Sequence, residues 1–206
     1  GLRVSLVEVV DQIMPPLDPE MARDLQYHME AHGVDLHLGT AAAGFEERAA
    51  GIRTRLSDDT VLDSDFVVLA AGVKPENELA KSAGLDLGSR GGIRTDSHMQ
   101  TSDPDIYAAG DCVEIPNLIT GGKVHAPYGD LANLQGRVAG QNVIIGNRAT
   151  FRGTIQTGVC KVFDFSAGAT GLSERKAKEA GFNSVPVVFA APDKPGFMGG
   201  KLLVIK

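Results

Sequence analysis

The spacing of apolar residues changes several times along the chain, and each change marks a new element. The run Leu2 to Val10 reads as a strand. After Pro15-Pro-Leu-Asp-Pro19 the apolar residues Met21, Leu25 and Met29 recur at helical spacing, with Asp18 as N-cap, Pro19 in the first turn and Gly33 as the stop. Val34 to Leu38 returns to strand spacing. Phe45 to Leu56 alternates around Gly51, Asp58-Asp59 makes a turn, and Val61-Leu62 with Phe66 to Ala71 reads as further strand. Strand, helix, strand in this order is half of a nucleotide-binding unit.

Past Gly72-Val-Lys-Pro75 a short helix is predicted over about Asn77 to Ala83. A Gly-rich turn at Gly88 to Gly92 and the extended Ile93-Arg-Thr95 come next. Ile106 to Ala109 reads as a core strand that stops at Gly110-Asp111. A longer helix is predicted from about Asp130 to Ile145, with Leu131, Leu134, Val138 and Ile145 as its apolar stripe and Gly146 as its end. The pattern shifts near residue 150 to short elements. These are strands at Gly158 to Phe165 and Ala167 to Gly171, a helix at Ser173 to Ala180, and strands at Val185 to Ala190 and Lys201 to Ile205. The chain opens on a strand without an initiator Met and stops on another strand, so it is expected to be an internal part of a longer protein.

A chain of 206 residues with 43% hydrophobic content has enough apolar surface for one large or two small cores. No apolar run is long enough to cross a bilayer and no signal region opens the chain, so cytoplasmic residence without a membrane is expected. The net charge of −6 and the lack of a Lys/Arg cluster argue against a nucleic-acid partner. Cys112 and Cys160 form no C-x-x-C pair, which excludes an encoded zinc knuckle or adjacent redox dithiol. His28 and His32 stand at i, i+4 but lack the glutamate of H-E-x-x-H, so they read as a surface pair and no metal site is expected. The 25 glycines with 5% aromatics suit an α/β protein.

Four segments carry the candidate chemistry. Thr101-Ser-Asp-Pro-Asp-Ile-Tyr-Ala-Ala-Gly-Asp111 resembles the second flavin motif of the pyridine nucleotide-disulfide oxidoreductases. The resemblance implies that Asp111 meets the ribityl-phosphate part of FAD, with Gly110 allowing close backbone approach. Phe66-Val-Val-Leu-Ala-Ala-Gly-Val-Lys-Pro75 is similar to the Ala-x-Gly-x-x-Pro turn where that family leaves its NADH domain, which implies a cofactor-facing Gly72. Ala126-Pro-Tyr-Gly-Asp-Leu-Ala-Asn-Leu-Gln-Gly-Arg137 resembles the loop and helix start beside the isoalloxazine ring. That implies roles for Pro127, Gly129, Ala132 and Asn133, with helix amides stabilising the electron-rich edge of the reduced flavin and raising its potential. Asp130 departs from the small residue expected there. Lys161 to Glu174 resembles the opening of the interface domain in the coenzyme A-disulfide reductase and NADH oxidase branch.

Glu8, at the end of the first strand, stands where a dinucleotide fold places an acid for the ribose 2′-hydroxyl, which favours NADH over NADPH. A solvated acid is the plain alternative for Glu8, and Asp11 is a rival for its role. Cys112 reads as a small packed residue rather than a redox centre, and His125 lies beside the flavin loop.

The fold class implied is α/β, with partial Rossmann-like dinucleotide-binding domains followed by part of an α+β dimerisation domain. Residues 1–72 are expected to be the second half of an NADH domain, 73–150 the C-terminal segment of a FAD domain, and 151–206 the first part of a dimerisation domain. The implied activity passes hydride from NADH through FAD to a disulfide, polysulfide, peroxide or oxygen acceptor, a small molecule, in a homodimer. The other reading is an inactive fragment that serves only for dimerisation or binding. On that reading the isolated chain is expected to be colourless, and a yellow preparation would count against it.

Overall fold

The parallel pair that opens the chain is built by one crossover. A computed structural model describes residues 1–206. Strand β1 (Val4–Glu8) runs into helix α1 (Pro19–Ala31), which returns the chain to strand β2 (Val34–Leu38). The two strands pair parallel, with Val4 opposite Val34 and Glu8 opposite Leu38. Pro19 suits the first turn of α1, where its missing N–H has no partner to lose. Asp18 is the N-cap residue but its side chain does not cap α1; its Oδ2 accepts the Glu174 N–H at 3.0 Å instead.

Leu25, Met29, Ile13 and Val34 form a core beneath this pair, joined by Val162, Phe165 and Ala167. Leu25 is 1% exposed, and burying such a side chain contributes about 1.5–3 kcal/mol.

An antiparallel meander follows, made of β3 (Ala42–Arg48), β4 (Gly51–Leu56) and β5 (Val61–Ser64). Gly51 opens β4 at φ +106°, and a Cβ there would overlap the Ser64 carbonyl oxygen, so only glycine fits. The strand predicted over Phe66 to Ala71 does not form: Phe66, Val68 and Leu69 are 61–76% exposed and join no ladder. Apolar residues favour a strand there, but among these residues no neighbouring strand supplies hydrogen-bond partners.

Residues 70–157 make a separate compact unit. It contains α2 (Glu78–Ser82), β6 (Ile93–Arg94), β7 (Val113–Pro116), β8 (Lys123–His125) and α3 (Gly129–Ile145). Strand β7 is central, parallel to β6 and antiparallel to β8. Its Val113 and Ile115 pack with Ile93, Met99, Ala126 and Phe151.

Two expectations fail in this unit. Ile106 to Ala109 is not a buried strand: Tyr107 makes a single bridge with Gln100, and the regular strand begins only after Asp111. Asp103 and Asp105 turn the backbone ahead of it, with the Asp105 N–H on the Asp103 carboxylate, which breaks any continuous ladder. In α3 the predicted stripe is only half right. Leu131 and Val138 are half-buried and Leu134 and Ile145 are exposed, while the two buried residues are Gln135 and Asn142. This face is held by hydrogen bonds to loops, and polar side chains reach those where leucine does not.

The remaining residues, 158–206, belong with 1–69 in the other unit. They form the hairpin β9 (Gly158–Val162) and β10 (Phe165–Ala169), helix α4 (Glu174–Glu179), and the hairpin β11 (Phe189–Pro192) and β12 (Leu202–Ile205). The first turn falls at Phe163-Asp164, earlier than predicted, and Phe163 takes a positive φ of 54° there. Val185 to Val188, predicted as strand, lies outside β11 and is exposed. Ser173 caps α4, its hydroxyl accepting the Lys176 N–H.

Candidate functional site

Gly110 closes the turn that feeds β7, and its φ of +96° is one that side-chain-bearing residues rarely adopt. Its carbonyl accepts the Val113 N–H at 3.2 Å, and its own N–H donates to Oε1 of Gln135 at 2.7 Å. Gln135 is 1% exposed, so α3 holds this turn from inside the unit. A Cβ at Gly110 would lie 3.8 Å from the Ala132 Cβ, and the small residue at 132 is what lets helix and turn come this close.

Asp111 is exposed, and its carbonyl accepts a hydrogen bond from His125 Nε2 at 2.7 Å. Since a carbonyl only accepts, His125 carries its proton on Nε2 in this arrangement. The turn is thus tied to α3 through Gly110 and to β8 through Asp111.

Just past β8, Pro127 is half-buried and Gly129 begins α3. Tyr128 is the N-cap residue, in extended conformation, and no side chain caps the helix. Asp130, which the sequence placed in doubt, is not the cap. It lies in the first turn, where a negative charge is favoured by the helix dipole. Asn133 is exposed one turn further on.

A second anchor lies beneath. Glu114, 2% exposed, accepts the Arg90 N–H at 2.6 Å and the Gly92 N–H at 3.2 Å. Side chains at Gly88 or Gly92 would collide with it. Reading along the sequence misses Glu114, because Val-Glu-Ile in a strand suggests an outward acid. The signal was the glycine-rich loop, whose unpaired N–H groups need a buried acceptor.

Cys112 is half-buried, and burial, helped by the Asp111 charge and opposed by a backbone hydrogen bond, pushes its thiol above the ordinary range. Burial also lowers the Lys123 ammonium, whose Nζ donates to the Thr95 carbonyl at 3.1 Å.

The structure therefore gathers Gly110, Asp111, Ala132 and the Pro127 to Gly129 approach into one neighbourhood. Gly72 is exposed at φ +90° with no atom near the position of a Cβ, so its glycine answers to backbone conformation alone. Glu8 belongs to the other unit, half-buried at the end of β1, with Oε1 accepting the Val10 N–H at 3.2 Å. Asp11 is exposed. The clefts lined by Phe45, Arg48 and Asp65 and by Glu20, Glu174 and Lys206 include none of these residues.

Comparisons with known proteins place the chain as a whole. The family model for pyridine nucleotide-disulphide oxidoreductases matches residues 1–126. The chain belongs to that family. The family is one of oxidoreductase enzymes whose cofactors are FAD and NADH.

Among curated relatives is an NADH oxidase of Methanocaldococcus jannaschii, 38% identical over all of this chain and 46% of that protein. Another is a CoA-dependent NAD(P)H sulfur oxidoreductase of Pyrococcus furiosus, 32% identical over all of this chain and 46% of that protein. A solved structure of an NAD-dependent persulfide reductase from A. fulgidus matches with a TM-score of 0.94 and 40% identity, covering 98% of this chain and 38% of that one. The chain spans about half the length of the curated relatives it matches. These findings bear out the family, the branch and the α/β class expected from the motifs.

Proposed function

We propose that this chain is part of a FAD-dependent NADH oxidoreductase whose electrons end on a small disulfide, polysulfide, peroxide or oxygen acceptor. The observation that carries the reading is the Gly110-Asp111 turn, clamped by Gln135 and His125 against the start of α3. Its residues fit FAD: an exposed carboxylate suits a polyhydroxyl chain, a positive-φ glycine beside Ala132 admits close approach, and no side chain caps α3. When bound, FAD supplies the two-electron chemistry between nicotinamide and acceptor.

The chain's own residues bind and orient. Asp111 accepts hydrogen bonds from the ribityl hydroxyls, and Gln135 and His125 fix the backbone that carries it. Gly129, Asp130 and Leu131 offer N–H groups at the positive end of α3, with Pro127, Ala132 and Asn133 shaping the approach. Gly72 lets the backbone pass close to both dinucleotides. Glu8 accepts from the adenosine ribose 2′-hydroxyl and repels a 2′-phosphate, so NADH is preferred.

Residues 1–72 serve NADH, 73–150 serve FAD, and 151–206 pair two copies of the chain. The exposed Val159, Val187, Phe189 and Leu202 support that pairing role. No helix is long and apolar enough to cross a membrane, and cytoplasmic residence is part of this proposal.

The test is a titration of the isotopically labelled chain with FAD, followed by amide NMR. Gly110, Asp111 and the amides of residues 129–132 should shift. Asp111→Asn should weaken binding about 10- to 100-fold, the loss of one charge-assisted hydrogen bond. Shifts confined to other residues, or equal affinity in Asp111→Asn, would defeat the reading.

A further inference from the structure

We infer that His28, His32 and Asp164 form a binding site for a divalent transition-metal ion of the zinc class, one that ties α1 to the β9–β10 hairpin. The inference does not rest on the flavin reading. The sequence shows two histidines one helical turn apart, and the fold brings in a third donor from 132 positions after His32.

One nitrogen or oxygen from each of the three residues lies within 4.8 Å of the others. Asp164 Oδ1 stands 3.1 Å from His28 Nε2. That nitrogen is buried and makes no hydrogen bond, the Asp164 oxygen being near enough for an ion pair but outside hydrogen-bond geometry. His32 Nδ1 donates to the His28 carbonyl at 2.8 Å, which places its proton on Nδ1 and leaves the lone pair on Nε2. A backbone carbonyl holding the far ring nitrogen is the arrangement that orients metal-binding histidines.

The hairpin turn is shaped to the same end. Phe163 holds a positive φ of 54° that a bulky residue seldom adopts, and its ring stacks on His32 at 4.3 Å. This conformation sets the exposed Asp164 carboxylate beside His28. Backbone strain of this kind is concentrated where a ligand site needs it.

Two nitrogens and one carboxylate oxygen suit zinc, cobalt or nickel, with water completing the shell. Ligands around such an ion stand about 3.4 Å apart when tetrahedral, so the exposed Asp164 need only rotate inward. Lys201 Nζ, 3.7 Å from Asp164 Oδ2, is the competing cation and must withdraw.

The test is calorimetric titration of the full chain with zinc chloride at neutral pH, with 15N-histidine NMR in parallel. We expect one ion per chain and shifts of the Nε2 signals of His28 and His32. Affinity should fall about 10- to 100-fold in Asp164→Asn and His32→Gln and stay unchanged in His37→Gln, whose ring pairs with Asp35 elsewhere. No saturable uptake, uptake indifferent to Asp164→Asn, or shifts only at other histidines would overturn the site and leave an ordinary His28–Asp164 ion pair. Because Asp164 is exposed, its variant keeps the test decisive even if a histidine variant misfolds.

Discussion

Replacing Gln135 with leucine keeps the bulk of the side chain and removes the acceptor for the Gly110 N–H. In the native chain that bond is 2.7 Å long and runs from a half-buried turn to a side chain 1% exposed. A donor stranded without its acceptor costs about 1–3 kcal/mol, and partial access of water to Gly110 puts this case at about 1–2 kcal/mol. For a domain of this size that lowers the melting temperature by about 5–10 °C. The sharper readout is local. Hydrogen exchange at the Gly110 amide should accelerate, while the amides of β7, held by other bonds, should change only with global stability. Gln135→Glu retains an acceptor and should keep Gly110 protected even though a buried carboxylate destabilises the unit. If Gly110 exchanged at its native rate in Gln135→Leu, the clamp would not be what holds the turn, and the argument for a positioned Asp111 would fail with it.

Asn142→Ala should cost about 3 kcal/mol in urea unfolding. That 1%-exposed amide donates to the His98 and Ala149 carbonyls and accepts from the Arg148 and Ala149 N–H groups, all at 2.8–3.1 Å; a loss under about 1 kcal/mol contradicts this. Gly92→Ala should destabilise more than Gly84→Ala despite the positive φ of Gly84, because its Cβ would press within 2.8–2.9 Å of the Glu114 Cγ and backbone N, whereas Gly84 has open space. Equal midpoints for the two would show that the Glu114 anchor yields easily.

Acid should weaken the unit formed by residues 1–69 and 158–206 through Asp18 and Glu20. Burial pushes the Asp18 carboxyl up, but the Glu174 N–H and Lys206 outweigh it and hold it below its ordinary value; Glu20 is held down first by Lys206. Both acids bind protons more readily when unfolded, so their contribution is present above about pH 4 and is lost as pH falls through the lower folded values. The loss between about pH 5 and pH 2 should be shallower in Lys206→Met, and an unchanged acid limb would refute the assignment.

What the sequence revealed was local chemistry, and what it hid was partnership. Pro19 and Gly33 mark the ends of α1, and Gly146 that of α3, because caps and breakers act within a few residues. The Gly-Asp motif was legible because its glycine demands a special backbone. Phe66 to Leu69 misled because a strand is completed by a neighbour that hydrophobicity does not specify. Gln135, Asn142 and Glu114 were not legible as buried, since a polar side chain goes inside only where distant backbone waits for it. The third member of the histidine cluster, Asp164, is set by a turn far along the chain.

The unit that begins with β1 is finished by residues that come after an entire second unit. Val162 and Phe165 close the core around Leu25 and Met29, and the first N–H of α4 rests on an oxygen of Asp18. During synthesis, therefore, the face of α1 that Val162 and Phe165 cover is completed only after residues 70–157 have emerged. Until then the apolar face of Leu25 and Met29 lacks these partners, and that interval is where chaperone binding and aggregation should concentrate.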